Sequence, residues 1–335
     1  MKFFYLKRRF WVTVFAGLLV LGWVVKKAHV GEVVGYLKEA DPLWFSGAFA
    51  CSVGSYICIG EIMKTLIKAT RRNLTRASAY LIAFVSTVVN YVMSVGGISG
   101  LTVKVYLLSK KKIPAGETLS ISVIHGFFTN TIAVFIVVAG CFFTVRLKIF
   151  TGGIAIPVFF IVCCALFFGF LCTAVVVSNR VRELCWLLLK KIAEVVPGPG
   201  RIKGFFSRLD GAFRCFHESM LFLTKSTGGL ARTAAYALAD WVLMFGCLYL
   251  SFLAVHYNVS PELLIVGFCT GLLVSLISLI PGGLGIYEGS MVGVFYLMGL
   301  DYEKSLAAVM IYRLLYFFIP AVVGLVLLGR ELVVD

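Results

Sequence analysis

Charge is what this sequence has least of. Only 14% of its 335 residues are Asp, Glu, Lys or Arg, and 60% are hydrophobic, against about 25% and roughly 45–50% in soluble domains. That deficit excludes an ordinary soluble domain and defines a polytopic membrane chain. Motifs for soluble catalysis are missing too: there is no Walker A sequence, no zinc-type His pair and no serine-nucleophile elbow. Nucleotide-driven transport would need a second subunit, and neither a cofactor nor a metal is expected. The ten cysteines show no paired metal spacing. Eight lie in or beside apolar runs, where a thiol serves as a small buried hydrophobe.

What is present is a series of apolar runs separated by basic segments. The net charge of +15 does not indicate nucleic acid in so apolar a chain; it fits basic cytoplasmic loops that set topology and touch anionic lipid. Phe10 to Val25 reads as a retained first span rather than a cleaved signal, because it is a full apolar run closed by Lys26 and Lys27. Leu43 to Ile62 is the second span. Thr118 to Val145, Ile154 to Val177, Ala234 to Val255 and Ser305 to Leu328 are four more.

Two runs are broken by glycine. Ala77 to Val95 ends in GGISG at Gly96 to Gly100, and only about eight further apolar residues precede Lys110, Lys111 and Lys112, where a span needs about 20. The chain must therefore turn at the glycines and come back. Leu263 to Ile280, the PGG break and Ile286 to Leu300 form a second apolar pair, of about half to full span length, that folds the same way. Two unbroken crossing helices are the rival at this second break. The expected fold is all-α and integral to the membrane: about six transmembrane helices plus two re-entrant helical hairpins.

Under that scheme 23 of the 31 Lys and Arg residues lie on the inside and six on the outside, leaving only Lys104 and Arg313 in apolar regions. The positive-inside rule then places both termini in the cytoplasm and the protein in the plasma or inner membrane. The chain reads as one polytopic domain: residues 1–42 hold the first span and an outer loop, 43–145 a first repeat, 146–233 a return span and a basic connection, and 234–335 a second repeat of opposite orientation. Inverted repeats with broken helices meeting at the midplane are a transporter architecture. Within the connection, Phe205, Leu209, Phe213, Phe216 and Met220 recur at helical spacing. That pattern fits a helix in the headgroup region, or one packed on the protein's own cytoplasmic surface.

The candidate site residues cluster at the breaks. The second half-helix of a re-entrant hairpin starts at mid-depth, so its free amides and positive dipole end suit a phosphate. Gly96, Gly97 and Gly100, with Gly282, Gly283 and Gly285, would let a headgroup approach the backbone, although close helix packing accounts for glycine equally well. Charges at membrane depth cost about 2.5–3.5 kcal/mol each on insertion scales. Lys104 follows Gly100 by four residues, Glu288 follows Gly285 by three, and Arg313 lies about two turns into the last span. Asp240, Asn90 and His125 are weaker candidates. Tyr287 and Tyr312 read as packing aromatics.

SVGGISGLTVKVYLL at Ser94 to Leu108, PGGLGIYEG at Pro281 to Gly289 and YRLLYFFIPAVVG at Tyr312 to Gly324 resemble the lysylphosphatidylglycerol synthase transmembrane, or flippase-like domain, family. The resemblance implies a membrane unit that in bifunctional members is fused to a cytoplasmic aminoacyltransferase and moves the aminoacylated lipid between leaflets. Relatives are linked to hopanoid production and to archaeal lipid-linked glycosylation. Glu288 and Arg313 match charged positions of the family, whereas Lys104 and His125 stand where arginine is expected, a departure that bears on headgroup preference. These 335 residues contain no synthase domain, so the fused activity is not expected here.

The leading expectation is a transporter that moves a phospholipid or other lipid phosphate, such as aminoacylated phosphatidylglycerol, between leaflets. Its partners would be anionic or zwitterionic membrane lipids. An integral-membrane enzyme acting on a lipid-linked substrate, with Glu288 as base, is a second reading. A non-catalytic partner that recruits a soluble lipid-modifying enzyme through Ser178 to Arg232 is a third.

Overall fold

The computed structural model describes residues 19, 22, 24, 26, 29–93, 98–147, 155–195, 201–277 and 280–333. Every regular element among them is helical. In order they are α1 (Val30–Lys38), α2 (Pro42–Ala69), α3 (Arg76–Met93), α4 (Ile98–Lys110), α5 (Ala115–Arg146), α6 (Ala155–Val177), α7 (Asn179–Val195), α8 (Arg201–Lys225), α9 (Thr227–Ala254), α10 (Pro261–Ile277), α11 (Ile286–Leu297), α12 (Tyr302–Arg313) and α13 (Ile319–Val333). A 3-10 turn at Pro281–Gly283 joins α10 to α11, and a π-helical turn at Leu314–Phe318 joins α12 to α13.

Six of the described helical stretches are long and apolar enough to cross a membrane, the last of them running through the π-turn from Tyr302 to Glu331. Their apolar side chains face outward, as lipid demands: Phe135, Phe160, Phe170 and Val322 are all at least 65% exposed. The count agrees with the sequence reading but the membership does not. Most of the Phe10 to Val25 span lies outside the described residues, and the sixth place is taken by α3, which is 18 residues long. Length alone would let α3 cross; its partner decides otherwise.

That partner, α4, has 13 residues and so spans only about 20 Å. It packs back along α3: Gly100 sits against Ser86 and Asn90 near the tip, and Ser78, Leu107 and Lys110 line one recess at the open end. The lysine triplet therefore returns to the end from which α3 set out. At the second break, α11 has 12 residues, about 18 Å, and folds back on α10, with Gly267 against Phe295 and Gly271 against Met291. Neither arm supports two unbroken crossings.

The two halves meet on α2 and α9, which run antiparallel along their full length. The Asp41 amide donates to the Ala254 carbonyl (2.8 Å) at one end, and Gly229 packs on Ala69 at the other. Each hairpin then leans on the other half's last helix, α3 on α13 and α10 on α5. The contact between the halves is therefore reciprocal. Each half keeps its own apolar core, one around Ile62, Leu66, Ile121 and Ile124, the other around Leu248, Phe252, Met291 and Phe295.

The basic connection holds two helices, α7 and α8. The described apolar face of α8 lies against protein: Phe216, Met220 and Leu223 are buried, and the Ser120 hydroxyl on α5 donates to the Phe216 carbonyl (2.9 Å). Of the two settings open from the sequence, α8 adopts the one packed on the protein's own surface. The side chains of Phe205 and Leu209 lie outside the described set.

Candidate functional site

The second hairpin tip is built by glycine. Gly282, Gly283 and Gly285 adopt φ of 67°, 62° and 77°, a region that side-chain-bearing residues enter only with strain. This tight path leaves amides and carbonyls without helical partners, and two side chains take them up. Glu288, at the third position of α11, accepts from the Gly285 amide through Oε2 (2.7 Å). Arg313, the last residue of α12, donates from Nε to Glu288 Oε1 (2.5 Å) and from Nη2 to the Gly282 carbonyl (2.6 Å). Glu288 is fully buried and Arg313 is 6% exposed.

The guanidinium is also enclosed by rings, 4.2 Å from the Phe317 centroid and 4.9 Å from that of Tyr287. Carboxylate, guanidinium, turn amide and turn carbonyl thus close on one another as a clasp. The carboxylate also sits on the positive end of α11, the place where a phosphate would otherwise bind. A phosphate at this tip would have to compete with the protein's own anion.

Pro320 explains the π-turn next door. Proline has no N–H, so the carbonyl four residues earlier loses its helical donor; that carbonyl belongs to Tyr316 and accepts from the Tyr56 hydroxyl (3.0 Å). Ser52 donates to the neighbouring Leu315 carbonyl (2.8 Å). Both donors come from α2. Ser55, on the same helix, donates to Asp240 on α9 and lies 3.0 Å from the Tyr316 hydroxyl. Tyr316 stacks on Tyr312 at 5.7 Å. Asp240 is therefore linked to the Arg313 clasp through a buried polar and aromatic column, rather than being part of the clasp.

The first tip is different. Gly100 is required for packing, since a Cβ there would lie 2.5 Å from the Ser86 carbonyl oxygen and 2.7 Å from Asn90 Cβ. On the same hairpin Asn90 Oδ1 and Ser99 Oγ are buried with no hydrogen-bond partner among the described residues, and so is Thr129 Oγ1 on α5. Lys104 lies one turn past Gly100, close enough to His125 for their charges to interact, and makes no ion pair among the described residues. His125 and Thr129 are one turn apart on α5. Gly96 and Gly97 lie outside the described residues.

The residues chosen from sequence thus fall into three sets. Glu288, Arg313, Gly282 and Gly285 form the clasp, with Gly283 in its turn. Asn90, Gly100, Lys104 and His125 surround the first tip. Asp240 stands between α2 and α9. Sequence reasoning missed Ser52, Ser55, Tyr56 and Tyr316, although Pro320 was a usable signal for the freed Tyr316 carbonyl. Ser99 and Thr129 carried none, since isolated hydroxyls in apolar helices usually bond to their own backbone.

Fold and site together define an all-α, multi-pass membrane protein with two broken-helix hairpins around a buried polar centre. The profile of the lysylphosphatidylglycerol synthase TM region family matches residues 10–324, and the chain belongs to that family. It is 29% identical over 153 residues to a UPF0104 membrane protein of Methanothermobacter thermautotrophicus, a match covering 41% of this chain and 44% of that one. A second UPF0104 membrane protein, from Pyrococcus horikoshii, is 31% identical over 130 residues, 38% of this chain and 39% of the relative. Similarity to the phosphatidylglycerol lysyltransferase of Staphylococcus haemolyticus is 33% over 88 residues, 26% of this chain but 10% of that enzyme. Each match spans less than half of the relative's length.

Proposed function

We propose that the chain is a lipid transporter of the flippase type, carrying a phosphate-bearing lipid between leaflets past the two hairpin tips. The observation that carries this reading is the unsatisfied polar group of the first tip. A buried hydrogen-bonding atom without a partner costs about 1–3 kcal/mol, and an unpaired charge at membrane depth costs more. Lys104, with Asn90, Ser99 and Thr129, supplies a cation and neutral hydrogen-bonding groups where phosphate oxygens would meet them. The second tip, closed by Glu288 and Arg313, is the fixed counterpart against which the first half moves.

Reconstitution tests this. Vesicles carrying the protein and a fluorescent phosphatidylglycerol should show accelerated movement between leaflets, measured by dithionite quenching. Lys104→Gln should slow it at least tenfold, and an unchanged rate would refute the assignment. The enzyme reading with Glu288 as base has less support, because both carboxylate oxygens are engaged, one by Gly285 and one by Arg313.

A further inference from the structure

The end of the α2–α9 pair remote from the Asp41–Ala254 junction carries a cavity of about 470 Å³ that none of the preceding chemistry uses. Its wall brings together Lys64 and Lys68 from α2, Arg76 from α3 and Arg232 from α9. Among the described residues one carboxylate, Glu61, shares the wall, and it is engaged: Tyr80 donates to it and Arg76 pairs with it at 3.2 Å. Lys64, Lys68 and Arg232 make no ion pair among the described residues. Four cations against one carboxylate leave three positive charges facing a concave space.

Such an arrangement is unfavourable when empty of anions. Lys64 and Lys68 are four apart on one helix, and like charges at that spacing repel. Low-dielectric walls focus the field of converging cations and so raise the local concentration of anions. Tyr236 and Thr65 add hydroxyls to the same wall, and the volume falls within the roughly 300–1,000 Å³ of small-ligand sites.

We propose that this cavity binds a phosphate anion, supplied by the headgroup of an acidic lipid or by a free phosphate. The site stands apart from the hairpin tips and does not depend on transport occurring. The test is calorimetric titration of the full-length protein in detergent with dihexanoyl phosphatidylglycerol and, separately, with glycerol 1-phosphate. Wild type should bind at least one of the two, and Lys64→Gln combined with Arg232→Gln should weaken that binding at least tenfold. Lys304→Gln, remote from the cavity, should leave it unchanged.

Tighter binding of the short-chain lipid than of glycerol 1-phosphate identifies the lipid headgroup as the source; equal binding identifies the free phosphate. No binding by wild type, or full affinity in the double variant, overturns the site. Should the double variant unfold, the single Lys64→Gln and Lys68→Gln variants, checked by their melting temperatures, carry the same expectation at about threefold each. Because binding and not lipid movement is read, failure here leaves the transport reading intact, and failure of transport leaves this site intact.

Discussion

The two hairpins have the same plan and opposite polar economies. At the second tip Glu288, Arg313, the Gly282 carbonyl and the Gly285 amide satisfy one another; at the first, among the described residues, Asn90, Ser99 and Thr129 keep buried oxygens with no partner and Lys104 has no counter-ion. The second tip is a closed clasp, which is why a holding role is proposed for it; the first keeps buried polar atoms unpaired, which is why a ligand is proposed there. The contrast teaches that a charge at membrane depth is not by itself a binding residue. Its partners decide.

The largest expected effect lies in the clasp. Removing one member of a buried pair leaves the other charged and unpaired, at a cost of about 3–5 kcal/mol. Arg313→Ala should therefore lower the melting temperature in detergent sharply, and Glu288→Gln, which keeps shape and an acceptor, should do so less. If Arg313→Ala melts like wild type, the clasp is not a stabilising element and the comparison between the tips fails. Gly282→Ala comes next. It forces a side chain into positive φ, about 1–2 kcal/mol, and sets a Cβ 2.4 Å from Phe317 Cζ, which overpacking makes worse by about 1–3 kcal/mol. Gly283→Ala shares the strained φ but meets nothing closer than 3.5 Å, so it should melt between Gly282→Ala and wild type.

Much of this was legible in the residues, for physical reasons that differ from place to place. The first hairpin followed from length, since the apolar arm after GGISG is too short to span lipid. The second rested on the placement of charge and on its likeness to the first, with two unbroken helices open as the rival until the structure folded the 12-residue α11 back on α10. The charges at Lys104, Glu288 and Arg313 stood out because an apolar background makes any ion conspicuous. Partnership was not legible. Glu288 and Arg313 are 25 residues apart, and only the return of α12 beside the turn brings them together. The Ser55–Asp240 contact spans 185 residues and depends on the register of two long helices, which no local pattern encodes. The setting of α8 was ambiguous because an amphipathic face suits a protein surface as well as a headgroup layer.

Tyr56→Phe probes the support that α2 gives to the π-turn. It removes the donor to the Tyr316 carbonyl while keeping the ring stacked on Tyr316, 5.7 Å away. Loss of one hydrogen bond, with its acceptor left buried, should cost about 1–2 kcal/mol. The same change four residues earlier, Ser52→Ala, frees the Leu315 carbonyl instead and should cost a similar amount. A melting temperature unmoved by both variants would mean that the carbonyls released around Pro320 need no side-chain donors.

Lys104→Gln should have the smallest effect on stability, and it separates the two tips most cleanly. An ammonium without a counter-ion contributes no pairing energy to lose, and its removal relieves the desolvation of a charge at depth. The melting temperature should therefore hold or rise slightly, while lipid movement in vesicles falls at least tenfold. Arg313→Ala should show the reverse order, with stability lost first and transport lost only as a consequence. Lys104→Arg completes the set: it restores the charge and adds a planar fork suited to phosphate, so transport should recover to within a few-fold of wild type. A Lys104→Gln protein that melts early and regains its stability with arginine would make Lys104 a structural residue like Arg313, and would erase the distinction between an occupied tip and an open one.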